Sequence, residues 1–118
     1  MEVKKVHKKE IREFTDLDKD PAQFEEAVKN LWDNGLSFPN WCFTIAQEDK
    51  IVGRVGYWAP ADNHKEVRIF GLSLPWQSDK IFQTGEKLLE ESFKTMQDYG
   101  VEYIDSQLDS FEEEIFVL

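Results

Sequence analysis

The residues in this chain best suited to chemistry lie between two signals, a strand-like apolar run ending near Leu74 and a helical stripe beginning near Thr84. A helix start leaves several amide N–H groups without internal acceptors, and the aligned peptide dipoles make that end partly positive, so it attracts phosphate. Gly85 would let an anionic group approach the backbone, and Thr84 adds a hydroxyl. Lys80 and Lys87 would offset locally the field of a chain whose formal net charge is -10. The chemistry this serves is the holding of a diphosphate at the carboxyl end of a strand, where ligands of α/β sheets commonly bind.

Other reactive side chains carry less. His64 has an intrinsic pKa suited to proton transfer, but it lies among Pro60, Asp62 and Asn63 and reads as a solvated turn residue. Cys42 is the single cysteine, which excludes an internal disulfide, and its place in the apolar run 41–46 marks a buried thiol rather than a nucleophile. His7 and His64 stand apart from any metal-ligand spacing, so no metal site is expected.

The elements that must position the loop follow from periodicity. Residues 10–14 alternate polar and apolar and are expected as a short first strand. Asp20 is a capping residue, Pro21 fits the first helical position, and Phe24, Ala27, Val28, Leu31 and Trp32 recur at helical spacing until Gly35, which predicts a helix over about 21–34. Three strands are expected at 41–47, 51–58 and 66–74, the first two as a hairpin turned by Glu48, Asp49 and Lys50. Gly53 and Gly56 inside the second of these suggest a bulge or a close neighbour. Leu88, Leu89, Phe93, Met96 and Tyr99 form one stripe of a helix over 84–99 stopped by Gly100, and a strand over 101–108 follows. Residues 66–108 thus read as a strand, helix, strand unit with right-handed crossover and parallel strands.

This order of elements resembles the GNAT family of acetyl-coenzyme A-dependent N-acetyltransferases, in which a pyrophosphate loop of pattern Arg/Gln-x-x-Gly-x-Gly/Ala joins a strand to a helix. The resemblance rests on the run Lys80 to Gly85 ahead of the Leu88-Leu89 pair, and on the strand and helix order around it. Lys80 falls at the family's Arg or Gln, Gln83 at its first glycine and Gly85 at its last small residue, so the motif is degraded. The implied fold is a mixed α/β sheet, mostly antiparallel with one parallel crossover, lacking the family's usual last strands in this single 118-residue unit or fragment.

What the resemblance implies about function is equally specific. Acetyl-CoA would be the co-substrate, contacted by Leu72, Ser73, Leu74, Lys80, Gln83, Thr84, Gly85 and Glu86, with main-chain groups of 71–74 facing the pantetheine arm as an added strand would. Glu66 falls in the region where relatives keep a general base, while the Tyr that protonates the departing thiolate has no counterpart, since no Tyr follows residue 109. No cysteine or serine triad is recognisable, which favours direct attack by a primary amine of a small molecule or peptide. The alternatives are a noncatalytic GNAT-like half of a larger protein or dimer, or an unrelated interaction domain with Trp58 and Trp76 as a contact patch. The strand over 101–108 would be an edge for a second copy or a partner domain to cover.

Composition narrows the partners further. The negative balance argues against nucleic acid, and the only basic cluster, Lys4, Lys5, Lys8 and Lys9, reads as a solvated flank. No apolar stretch resembles a signal peptide or a membrane span, so a cytoplasmic location without membrane partners is expected.

Overall fold

The computed structural model describes residues 1–105. A five-stranded sheet of order β1-β2-β3-β4-β5 is covered by helices on both faces. Its strands are β1 (Glu2–Lys5), β2 (Cys42–Gln47), β3 (Lys50–Trp58), β4 (Glu66–Ser73) and β5 (Tyr103–Asp105). The first four run antiparallel to their neighbours and β5 lies parallel to β4, reached through α3 (Ile81–Asp98). The opposite face carries α1 (Ile11–Thr15) and α2 (Pro21–Asp33).

The amino-terminal expectation is reversed. Residues 10–14 are not a strand: a 3-10 turn at Lys8–Glu10 leads into α1, which buries Ile11, Phe14 and Thr15. Ile11 and Phe14 are three apart, so a strand would send them to opposite faces while a helix sets them on one. The first strand lies instead in the lysine cluster. A strand pairs through its backbone, and alternation turns Val3 inward while Lys4 stays in water.

The first long helix forms as its caps dictate. The Asp20 Oδ1 accepts the Gln23 amide at 3.2 Å, Pro21 occupies the first turn, and Gly35 at φ 71 ends the run in the left-handed region. The hairpin of β2 and β3 closes through Glu48 and Asp49, both at positive φ (53 and 65), as a two-residue turn that matches strand twist. Neither residue is at ease there. The double substitution Glu48→Asn, Asp49→Gly is therefore expected to raise unfolding free energy by about 1 kcal/mol, read as a higher urea midpoint at unchanged slope; a lower midpoint would contradict this turn geometry.

Two apolar layers sandwich the sheet. Phe43, Ile45, Val55, Tyr57, Val67 and Ile69 face α3 through Leu88 and Met96, with the Tyr57 hydroxyl 2.7 Å from the Ser92 Oγ. Phe14, Val28, Cys42 and Phe70 form the other layer, joined by Phe24 and Trp32. Tyr99, expected on the buried stripe, is 39% exposed, and the Lys5 Nζ lies 5.4 Å from its ring centre. β5 pairs Tyr103, Ile104 and Asp105 with Glu66, Val67 and Arg68; the rest of the strand expected over 101–108, and residues 109–118, lie outside the described residues.

Candidate functional site

The geometry that shapes this end of the sheet begins in β4. Arg54 pairs with Ser73 and Gly56 with Phe70, so β4 spends one more residue than β3 between the same two rungs and bulges there. Gly71 makes this feasible: its φ is 65, and a Cβ in its place would lie 2.8 Å from the Phe24 ring. Phe70 and Gly71 consequently both meet the α1/α2 layer, whereas Leu72 and Leu74 pack beneath α3. Past Arg68, the outer edge of β4 has no paired strand among the described residues.

A side chain that sequence reasoning passed over fixes the bulge. Arg54 is buried, donating from Nε to the Gly71 carbonyl at 2.8 Å and from Nη1 to the Phe14 carbonyl at 2.9 Å. Its Nη2 pairs with the Asp18 Oδ1 at 3.1 Å, and its guanidinium carbon lies 4.1 Å from the Phe24 ring centre. The available signal was a lone cation inside the apolar run 51–58. Such a charge needs a built partner set, and only the planar fork of Arg serves three directions at once.

After β4 the chain turns through 74–80 into α3. The Trp76 amide reaches the Leu74 carbonyl at 2.9 Å, the Ser78 amide the Pro75 carbonyl at 2.8 Å, and the Lys80 amide the Ser78 Oγ at 3.1 Å. The helix starts at Ile81, a turn before the expected Thr84, because half-buried Ile81 extends the stripe of Thr84 and Leu88. This moves the unpartnered donors. The Thr84 amide is satisfied by the Lys80 carbonyl at 2.9 Å, whereas the Phe82 and Gln83 amides have no acceptor among the described residues.

Thr84 and Gly85 therefore sit differently from what the loop pattern implies. Thr84 is fully buried with its hydroxyl 3.3 Å from the Met1 Sδ, and a Cβ on Gly85 would lie 3.1 Å from the Leu74 Cδ1. Absence of a side chain at Gly85 serves the close approach of α3 to the end of β4. Lys80, Gln83 and Glu86 are exposed around the same helix start, with Trp76 (62%) and Phe82 (85%) standing beside them in water. Lys87 is held 3.5 Å from Glu91, so Lys80 is the loop's more available cation. Leu72, Ser73 and Leu74 are half-buried at the strand end, as an added backbone partner would require.

Glu66 lies at the far end of β4, exposed, roughly 16 Å from Gly71 at strand rise. It shares the α1/α2 face with Arg68, whose guanidinium carbon lies 5.4 Å from the centre of the half-buried Trp58 ring. Trp58 is thus taken up by this face rather than joined to Trp76 as a contact patch. His64 packs edge-on against Phe38 and Trp41, with ring centres 5.4 and 5.2 Å away. Cys42 is fully buried, and burial pushes its thiol up to about 12, too high for a nucleophile at neutral pH. A surface concavity of about 540 Å³ lined by Lys4, His7, Glu10 and Glu13 lies at the β1 edge, away from the β4 loop. Among the described residues no cluster of His, Cys, Asp or Glu could hold a metal ion, and no helix is long and apolar enough to cross a membrane.

This fold recurs in solved acetyltransferases. An aminoglycoside 6'-N-acetyltransferase from Enterococcus faecium superposes with TM-score 0.65 at 16% identity, covering 86% of this chain and 57% of its own. The fold is that of the GNAT acetyltransferases. A GNAT-family acetyltransferase from Brucella melitensis, solved with acetyl-CoA, gives TM-score 0.59 at 12% identity over 96% of this chain and 80% of that one. An aminoglycoside acetyltransferase from an uncultured soil metagenomic sample, solved with sisomicin, gives 0.62 at 19% identity over 98% and 82%. At such identities the likeness to these GNAT structures is one of fold, and the chain spans little more than half of the Enterococcus enzyme. No family model matches the sequence, and no curated protein matches it.

Proposed function

We propose that this chain is an acetyl-CoA-dependent N-acetyltransferase domain that passes an acetyl group directly to a primary amine. The observation that carries the reading is the pairing of two backbone features at one end of the sheet. A β4 bulged at Gly71 ends half-buried at Leu72 and Ser73, and a helix start has open amides at Phe82 and Gln83. The first suits the amides of a pantetheine arm and the second suits a diphosphate. Lys80 adds the positive charge that the loop otherwise lacks.

In this reading Leu72, Ser73 and Leu74 bind the arm, Lys80 and Gln83 flank the diphosphate, and Glu86 borders it one turn on. Thr84 and Gly85 contribute by seating α3 on the sheet. Glu66 accepts the amine proton through a chain of waters along the strand. The amine nitrogen forms the new C–N bond as the C–S bond breaks, and the departing thiolate takes a proton. Because Tyr57 is buried on Ser92 and Tyr99 lies under Lys5, no described Tyr at the β4 loop is assigned as that acid. The unassigned acid is the observation behind a second reading, a GNAT-like domain that binds acetyl-CoA without turning over. The aminoglycoside enzymes of the same fold make polycationic amines, suited to an acidic chain, the first acceptors to try.

Calorimetric titration with acetyl-CoA tests the proposal. Micromolar binding is expected, weakened about fivefold by Lys80→Glu and further as added salt screens the phosphates. No detectable heat at millimolar ligand would end the acyltransferase reading; binding without product across an amine panel would select the noncatalytic one.

A further inference from the structure

Strand β1 ends the sheet on the side away from β4, and among the described residues no strand pairs with its outer edge. The direction of its backbone groups follows from the register. Glu2 faces Ala46 and Lys4 faces Thr44, and the Val6 amide, next in that series, donates to the Cys42 carbonyl at 2.9 Å. In an antiparallel pair, residues that exchange both bonds alternate with residues that exchange none, so Glu2, Lys4 and Val6 bond to β2. Val3 and Lys5 therefore turn their N–H and C=O groups outward. They do so into the concavity of about 540 Å³, walled by Glu10 and Glu13 on one face of the sheet and by Glu91 and Thr95 on the other. Such a row of donors and acceptors is a template for another strand.

We propose that this edge pairs with the β1 edge of a second copy of the chain, antiparallel about a two-fold axis through Val3. The strand's own residues select both the occupant and the register. A two-fold axis normal to the sheet keeps each face on its own side, so outward-bonding residues must meet outward-bonding residues: Val3 with Val3, Val3 with Lys5, or Lys5 with Lys5. Pairing Val3 with Lys5 sets the two Lys4 side chains directly opposite each other, and pairing Lys5 with Lys5 does the same for Lys5; like charges so placed are destabilising. Centring on Val3 instead packs Val3 on Val3 and sets each Glu2 opposite Lys4 of the other copy, giving two cross-strand ion pairs on the α1/α2 face. Glu2 and Lys4 are both exposed, free of the core on that face. The lysines that would repel an arbitrary strand thus favour one alignment with a second copy. So short a ladder buries little area, and the association is expected to be reversible, with a Kd of about 10–100 µM. It does not depend on the acyltransferase reading.

Sedimentation equilibrium of the full chain over rising concentration tests the pairing. Wild type is expected to dimerise reversibly, and less tightly as added salt screens the exposed ion pairs. Glu2→Lys and Lys4→Glu each replace two opposite-charge contacts with two like-charge ones, and each is expected to raise the Kd about tenfold. Both positions are exposed, so the fold is kept. A one-to-one mixture of the Glu2→Lys and Lys4→Glu chains is expected to recover the wild-type Kd, because each chain then meets the opposite charge at both positions. Val3→Pro removes an outward N–H without touching the ladder to β2, and is expected to abolish the dimer at an unchanged register within the chain. A wild-type chain that stays monomeric at millimolar concentration would overturn the proposal. So would a dimer whose Kd neither charge reversal moves, or a mixture that associates no more tightly than its two components alone.

Discussion

Replacing Arg54 by Ala is expected to remove about 3–5 kcal/mol of stability, enough to unfold a large share of a marginally stable domain. The loss comes from what stays behind. The Gly71 and Phe14 carbonyls would each lose a charged donor, and a buried acceptor such as the Phe14 carbonyl left without it costs about 1–3 kcal/mol. The Phe24 ring also loses the guanidinium lying 4.1 Å from its centre, leaving a void between α2 and the bulge. Asp18 contributes least to the penalty, because its side chain is 26% exposed and water can replace the lost bond. Urea unfolding of Arg54→Ala beside Arg12→Ala separates the terms. Arg12 pairs with Glu25 at 3.5 Å but is 81% exposed, so its loss is expected to cost no more than about 0.5 kcal/mol. If Arg54→Ala lay within about 1 kcal/mol of wild type, the network would be ornamental and the case for Arg54 as an anchor would fail.

The places where sequence and structure diverge share a cause. Helix α2 was legible from Asp20, Pro21 and Gly35 because cap, first-turn and stop residues each act locally. The α3 stripe and the parallel crossover were legible for the same reason, as was the β2–β3 hairpin. Residues 10–14 misled because alternation over so short a run fits either period; what decided for a helix was tertiary, the common burial of Ile11 and Phe14 against the sheet. Lys4 and Lys5 looked like a solvated flank since side chains advertise nothing about backbone pairing, yet β1 is held by its register to β2. Gly71 gave no sign either. A glycine before a leucine is ordinary in sequence, and only the register against β3 and the nearness of Phe24 reveal the bulge. Of the candidate site, the strand-to-helix connection was legible, but its open amides fall at Phe82 and Gln83 because Ile81 already belongs to the helix.

Alkaline pH is expected to unfold this chain through its own core, with the loss traceable to two named protons. Burial pushes the Cys42 thiol up to about 12, only partly opposed by the Trp32 and Ser37 side chains, and burial raises the Tyr57 phenol despite its bond to Ser92. An unfolded chain releases those protons near pH 8.5 and pH 10, about the values of free thiol and phenol. Both groups are thus held protonated more tightly by the fold than by the open chain. Their contribution is complete below the unfolded values and is lost as pH climbs toward the folded ones. Each proton lowers stability by up to about 1.4 kcal/mol per pH unit, so from pH 9 to 11 the pair should remove about 3–4 kcal/mol. Substitution assigns the slope. Cys42→Ala should flatten the fall between about pH 8.5 and 10, and Tyr57→Phe the steeper part above it. The Tyr57 change leaves the Ser92 hydroxyl its Leu89 carbonyl at 3.2 Å, so its cost at neutral pH is expected to stay near 1 kcal/mol. Urea midpoints measured at half-unit pH steps decide the matter: a Cys42→Ala chain that loses stability as steeply as wild type between pH 8.5 and 10 would mean that its buried thiol does not govern the alkaline limit.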